Sequence, residues 1–259
     1  MKKFRKYGTK PFKLALLHGG PGAAGEMAAV AKELSKEHAV LEPLQSKTSI
    51  QGQVEELKAI LQTNADLPVT LIGYSWGAWL AFIFAAQYPK FVKKLILLGS
   101  GAFEEKYAKD IMKVRLARLS KAERKEVDSL SKDLERAEPE QKNAIFAQFG
   151  KLMTKADSYN PLPDKNKSIN CRYDIYEKVW PEAAELRRTG KLLKLGKKIQ
   201  CPVVAIHGDY EPHLPEGVRV PLAKVLKDFK FILLKKCGHT VWLEKEARAK
   251  FYALLKKEL

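Results

Sequence analysis

The chain has 259 residues, of which 46% are hydrophobic and 30% charged, and its formal net charge is +17. This hydrophobic content is typical of a globular protein and excludes wholesale disorder. No apolar run approaches the roughly 18 residues of a membrane span, and the lysines are spread along the chain rather than gathered in one basic block. We therefore expect a globular protein with neither a membrane nor a nucleic acid as its partner.

The amino-terminal residues and the cysteines bear on the compartment and on metals. A basic start leads into the apolar run Leu14–Leu17, which is too short for the core of a signal peptide. Three cysteines, Cys171, Cys201 and Cys237, have neither close spacing nor an even number. This pattern predicts a cytoplasmic protein without a disulfide framework, a metal or another cofactor. The oligomeric state is left open.

Apolar runs alternate with helical patterns, which is typical of a parallel sheet covered by helices on both faces. Strands are predicted, in chain order, at 12–17, 39–44, 68–74, 94–98, 202–206 and 231–234. Helices are predicted between them at 24–37, 54–61 and 75–88, and a last helix at 244–257.

The stretch from Phe103 to Lys198 has helical patterns only. Ser120 and Glu123 have the spacing of a capping box, and Pro139 is placed to open another helix. We therefore expect a core domain formed by residues 1–102 and 199–259, with a helical insertion at 103–198.

A serine between two glycines, Gly73-Tyr74-Ser75-Trp76-Gly77, follows a predicted strand and opens a predicted helix. In this context G-x-S-x-G forms a sharp turn that exposes the serine hydroxyl at the start of the helix. A glycine-rich turn with an incidental serine is the alternative, and the flanking strand and helix disfavour it.

A serine nucleophile needs a base and a carboxylate that orients the base. His239 follows the last predicted strand, at the edge where the carboxyl ends of parallel strands meet. Asp209 ends the preceding strand at the same edge and is the predicted acid, with Glu211 as the second choice. Ser75, Asp209 and His239 also stand in the expected chain order of nucleophile, acid and base.

The loop His18-Gly19-Gly20-Pro21-Gly22 follows the first predicted strand. The N–H groups of Gly20 and Trp76 are the predicted donors of an oxyanion hole. A phosphate-binding turn is the alternative, but the Lys-Ser/Thr pair of a P-loop does not follow.

These motifs together resemble the α/β-hydrolase superfamily. The H-G-G-P-G and S-W-G pair is most similar to the proline iminopeptidase branch, whose members remove an N-terminal residue from peptides. The resemblance implies a mostly parallel sheet with a helical cap over the pocket. Because only a short basic segment precedes Phe12, we expect about six strands instead of the family's eight.

The resemblance also implies a serine hydrolase that cleaves a small ester, amide or short peptide through an acyl-enzyme. An aminopeptidase must bind the substrate's ammonium group, for which the cap offers Glu177, Glu182 and Glu185, although each is more typical of a solvated helix. Trp180, Glu177 and His213 are the predicted substrate contacts. A non-catalytic ligand-binding or signalling protein on the same fold is the alternative function.

Overall fold

The computed structural model describes residues 3–164 and 169–259, so positions 165–168 of the expected helical insertion lie outside the described residues. A seven-stranded sheet forms the centre, in the order β1-β4-β2-β5-β6-β8-β9, and a two-stranded sheet pairs β3 with β7. The strands are β1 Phe4–Tyr7, β2 Leu14–Leu17, β3 Ala23–Ala24, β4 Val40–Pro43, β5 Val69–Tyr74, β6 Val92–Leu98, β7 Asn170–Cys171, β8 Val203–Gly208 and β9 Phe229–Leu234.

All pairs of the central sheet are parallel except β1 with β4. The expected fold class is therefore confirmed, but the expected count of about six strands was one short. The basic start forms the extra edge strand because β4 carries the fully buried Glu42. Tyr7 donates to that carboxylate at 2.7 Å, and the Arg5 guanidinium lies 3.6 Å from it. A buried charge needs such partners, and these two charged and polar side chains of β1 provide them.

Ten α-helices are described, and they cover both faces of the sheet. Their bounds are α1 Ala28–Leu34, α2 Ile50–Asn64, α3 Trp76–Gln87, α4 Ile111–Ala117, α5 Lys121–Arg136, α6 Pro139–Asp157, α7 Tyr173–Arg188, α8 Lys191–Lys194, α9 Glu216–Val225 and α10 Arg248–Lys257. Helices α1 and α10 pack on one face, while α2, α3 and α9 pack on the other. Helix α3 is buried from Trp76 to Ala86, as its nearly continuous apolar sequence requires. Of the described helices, none has the length and apolarity to cross a bilayer.

The strand order places a crevice between β2 and β5. The chain passes from β2 to its neighbour β4 on one side, then crosses over to β5 on the other side and continues outward to β6. Connections therefore leave β2 and β5 in opposite directions, which opens a gap at their carboxyl ends where open α/β sheets bind ligands. The two glycine-rich motifs of the sequence follow these two strands.

Helices α4 to α8 lie between β6 and β8 in the chain, as the helical patterns predict, but the expectation of helices only was wrong because the short strand β7 lies among them and pairs with β3. The capping box at Ser120 and Glu123 is present in both directions and begins α5. Helices α5 and α6, with the turn before α5, bury a small cluster that includes Val127 and Met153. Helix α7 differs, because its buried residues join the core on the α3 face of the sheet.

Candidate active site

Ser75 lies at the sharp turn between β5 and α3. Its backbone has φ 52° and ψ −116°, a region that non-glycine residues seldom adopt, and its N–H donates to the Leu98 carbonyl at 2.9 Å. Helix α3 begins at the next residue, so its amino-terminal N–H groups and positive dipole end face this position. The turn has the strained strand-to-helix geometry that the G-x-S-x-G pattern predicts.

The two flanking glycines are required by close backbone contacts. A Cβ on Gly73 would lie 2.1 Å from the Gly77 carbonyl oxygen, and a Cβ on Gly77 would lie 2.5 Å from the carbonyl oxygens of Leu17 and His18. Any side chain at either position would displace backbone. Helix α3 can therefore pack directly against the end of β2, which holds the elbow beside the H-G-G-P-G loop.

His239 follows β9 and reaches the same edge of the sheet. Its ring lies 4.9 Å, centroid to centroid, from the Tyr74 ring next to the elbow. Its Nδ1 would lie 3.1 Å from a Cβ on Gly99, the residue after β6. Ser75 Oγ and His239 are not hydrogen-bonded to each other among the described residues, and such contacts in unliganded sites often tighten only when substrate binds.

The carboxylate beside His239 belongs to Glu211, so the choice of Asp209 was wrong. Glu211 Oε1 lies 2.8 Å from His239 Nδ1, and the residue is only 3% exposed. Asp209 is exposed, accepts the Cys237 N–H at 3.2 Å, and lies 3.7 Å from Lys235 Nζ.

The backbone explains the difference between the two acids. The Asp209 N–H still donates to Leu234 of β9 at 2.9 Å, which keeps residue 209 in the sheet ladder. Glu211 lies two residues farther on, where the chain has left the sheet and turned inward. The signal in the sequence was the distance of each acid from Gly208. Asp209 follows Gly208 directly, whereas two residues separate Glu211 from it and place Glu211 beyond the end of the strand.

Glu211 and His239 favour each other's charged forms. Burial alone would raise the pKa of Glu211, but the adjacent histidines outweigh it and lower that pKa well below the usual range. Burial alone would lower the pKa of His239, but the Glu211 charge and hydrogen bond outweigh it and raise that pKa. With Nδ1 bonded to a carboxylate, His239 in its neutral form has the lone pair on Nε2.

The H-G-G-P-G loop is held by the buried His18 ring and the half-buried Glu26. The Gln45 N–H donates to His18 Nε2 at 3.2 Å, so the His18 Nδ1–H donates to the Gly19 carbonyl at 2.7 Å. Burial lowers the pKa of His18 to about 4, which keeps the ring neutral. The Gly19 N–H donates to Glu26 Oε2 at 3.1 Å, and sequence reasoning did not single out this glutamate.

Gly20 and Trp76 follow β2 and β5, the two strands that flank the crevice. Gly20 follows the anchored Gly19 and has φ 108°, which favours glycine. Trp76 is the first residue of α3, where an N–H has no acceptor within the helix. Within the described residues, neither N–H donates to a protein acceptor.

The predicted substrate contacts lie in different surroundings. Trp180 of α7 is half-buried, and its ring is parallel to those of Trp79 and Tyr176, at centroid distances of 5.9 and 6.2 Å. His213 is buried, and its Nδ1 lies 2.8 Å from Glu211 Oε1. Glu177 is exposed and lines a groove of about 380 Å³ between α6 and α7.

The other two carboxylates of α7 have partners in the protein. Glu182 accepts the Ile50 N–H at the start of α2, at 2.9 Å. Glu185 is exposed and pairs with Arg188 through two hydrogen bonds of 2.7 Å.

Asp157 of the helical segment contacts the histidine loop, and Arg115 of the same segment holds Asp157. Arg115 of α4 makes two hydrogen bonds to the Asp157 carboxylate at the end of α6, at 2.8 and 2.6 Å. The Asp157 carbonyl accepts the His239 N–H at 2.9 Å. The sequence carries no local sign of this link, because its three residues are far apart in the chain.

Glu211 Oε1, His213 Nδ1 and His239 Nδ1 lie within 4.8 Å of one another and are atoms of the kind that bind Zn²⁺. Each Nδ1 is 2.8 Å from Oε1, a hydrogen-bond distance. Tetrahedral zinc ligands with bonds of about 2.0–2.1 Å are roughly 3.3 Å apart, so a metal would have to widen the cluster. The expectation that the protein uses no metal stays a prediction.

Comparison with known proteins agrees with this geometry. The model of the alpha/beta hydrolase fold family matches residues 14–246. The chain belongs to this family. The predicted similarity to proline iminopeptidases is confirmed by the enzyme of Heyndrickxia coagulans, which is 26% identical over 252 residues, 88% of this chain and 84% of that protein.

Two further similarities differ in extent. A cis-3-alkyl-4-alkyloxetan-2-one decarboxylase of Shewanella oneidensis is 32% identical over 56 residues, and this match spans only 21% of the chain and 18% of that protein. The crystal structure of VinJ superposes with a TM-score of 0.67 at 18% identity, covering 99% of this chain and 95% of that one. The second similarity shows the fold alone.

Proposed function

We propose that this α/β-hydrolase cleaves a small ester or amide through an acyl-enzyme on Ser75. The observation that carries the proposal is the Glu211–His239 hydrogen bond of 2.8 Å at the sheet edge where the strained Ser75 turn lies. A serine hydroxyl becomes nucleophilic when an imidazole anchored by a carboxylate takes its proton.

In the proposed reaction, Ser75 Oγ attacks the substrate carbonyl carbon while His239 Nε2 takes the hydroxyl proton. The carbonyl oxygen becomes an oxyanion that accepts the N–H groups of Gly20 and Trp76. The tetrahedral intermediate then expels the alcohol or amine, which receives the proton from His239. Water attacks the acyl-enzyme with the same base, and Ser75 recovers its proton as the acid leaves.

The contacts of α7 favour an ester or simple amide over an N-terminal aminoacyl substrate. Glu182 is committed to the start of α2 and Glu185 to Arg188, while Glu177 lines an outer groove. These contacts give no support to a cap carboxylate as the site for an ammonium group. The free state of all three cysteines supports a reducing compartment, and we keep the cytoplasm as the proposed location.

A fluorophosphonate probe tests the chemistry, because it reacts with activated serines. We expect labelling of the wild-type protein at Ser75 and none in Ser75→Ala. A parallel panel of short-chain nitrophenyl esters and aminoacyl naphthylamides should show turnover of the esters above that of the aminoacyl amides. A folded wild-type protein that resists the probe and turns over neither panel would instead favour the non-catalytic binding function.

A further inference from the structure

Glu211 Oε1 is shared by two imidazoles, and the proposed reaction uses only one of them. His213 Nδ1 and His239 Nδ1 each lie 2.8 Å from this oxygen, and the two ring centroids are 5.2 Å apart. His213 lies two residues after Glu211 in the loop that follows β8, and the bend between them brings its ring to this oxygen. The His207 ring holds the loop in place, because its Nε2–H donates to the His213 carbonyl at 2.8 Å.

The state of the His213 ring follows from its acceptor. A carboxylate can only accept, so the His213 Nδ1 carries a hydrogen. Burial lowers the pKa of His213, although the Glu211 charge opposes the shift. The ring is therefore neutral near pH 7, with its lone pair on Nε2 and its Nδ1–H donated to Glu211.

Other charged and titratable groups also bear on this cluster. His207 Nε2 on β8 lies 3.3 Å from Glu211 Oε2. The positive charge of Arg115 on α4 contributes a lowering of the pKa of both His213 and His239. The negative charge of Asp157 contributes a rise in the pKa of His239. Glu26 also interacts electrostatically with His239. His213 is distinguished from these groups by its direct hydrogen bond to the oxygen that His239 uses.

We propose that His213 is a positioning residue that fixes Glu211 Oε1 and takes up part of its charge, so that His239 remains a base near neutral pH. A donor on a carboxylate oxygen stabilises its negative charge and weakens that oxygen as a partner for a second donor. This inference rests on the proposed function only for its kinetic consequence, since the titration of His239 is a property of the folded protein.

A matched pair of variants tests the role. His213→Leu introduces an apolar side chain of similar reach and removes the hydrogen-bond donor. His213→Asn instead places an amide nitrogen where Nδ1 lies. We expect the pKa of His239, followed by NMR of ¹⁵N-histidine, to rise by about one unit in His213→Leu and to change little in His213→Asn. The acid limb of kcat/KM should move with it, so that kcat/KM at acidic pH falls up to about tenfold in His213→Leu only.

The outcomes separate this inference from the proposed function. Equal His239 pKa values in the wild type and a folded His213→Leu protein would overturn it. If His213→Leu does not fold, the wild-type ¹⁵N shifts decide, because a His213 ring protonated on Nε2, or one that titrates between pH 6 and 8, is incompatible with it. If the wild type resists the probe and turns over no substrate, the proposed function fails, and the NMR titration still tests the role of His213.

Discussion

Two regions of the molecule differ in how far they restrict the choice of amino acid. One consists of the carboxyl ends of the strands and the turns that follow them, and the other consists of helices α4 to α8. At the carboxyl ends of β5 and β8 and in the first turn of α3, a Cβ on Gly73, Gly208 or Gly77 would lie 2.1–2.5 Å from a backbone oxygen. In the helical segment, a Cβ on Gly150 or Gly190 would have nothing within 4 Å. A position with no room for a side chain requires glycine and therefore leaves a motif in the sequence. A position with open space around it leaves no such motif.

The loops also hold the side chains expected to act on the bound substrate, while the helical segment reaches them through a few contacts. Asp157, which Arg115 holds, contacts the His239 loop, and Trp180 stacks on Trp79 of α3. Changes in the loops should therefore affect the chemical step or the fold itself, and changes in the helices should affect substrate binding.

The largest expected effect separates the two acids of the β8 loop. Glu211→Gln should lower kcat/KM by about 10³–10⁴-fold, because the amide cannot stabilise the imidazolium form of His239. Asp209→Asn is the matched control and should stay within about threefold of the wild type, since Asp209 is exposed and bonded elsewhere. Steady-state kinetics with the best ester of the panel measures both, and a larger loss in Asp209→Asn would return the acid role to that residue.

The next largest effect is a difference in the free energy of unfolding between two glycine-to-alanine variants. Gly77→Ala should lower the free energy of unfolding by roughly 2–4 kcal/mol, because the methyl group would meet the carbonyl oxygens of Leu17 and His18. Gly150→Ala, inside α6 with open space around it, should raise it by about 0.5–1 kcal/mol. Urea unfolding of both variants provides the measurement. Similar effects at the two positions would remove the contrast between the regions.

A smaller effect is expected in the helical segment. Trp180→Ala should lower kcat/KM about tenfold, mainly through KM, because it removes one ring of the Trp79–Trp180–Tyr176 stack. Glu177→Ala on the outer face of the same helix should stay within about twofold. Kinetics over a series of acyl lengths tests this pair, and a change confined to kcat would place Trp180 in the chemical step instead.

The smallest expected effect is a displaced pH profile. The raised pKa of His239 means that its base form is reached only above the ordinary imidazole value of about 6.5. The acid limb of kcat/KM should therefore have its midpoint above that pH, and activity should be lost as pH falls through it. A midpoint clearly below 6.5 would show that Glu211 does not stabilise the protonated ring.

The sequence predicted the sheet-end motifs well because backbone crowding restricts their residues. Alternating apolar runs and helical patterns predicted the parallel sheet with helices on both faces. The glycines around Ser75 predicted the sharp turn, which the φ of 52° confirms. The edge strand β1 was missed because the segment before Phe12 is short and basic and has no apolar run, whereas Arg5 and Tyr7 lie against the buried Glu42.

The sequence by itself determined the fold class, the elbow at Ser75 and the loop that carries His239, because these depend on local periodicity and on glycines that nothing else can replace. Only the tertiary structure decided that Glu211 rather than Asp209 meets His239, and that His213 shares its carboxylate. Two acids separated by one residue look alike in a sequence. Which of them turns inward depends on where β9 stops pairing with β8. These two strands are brought together only when the chain folds.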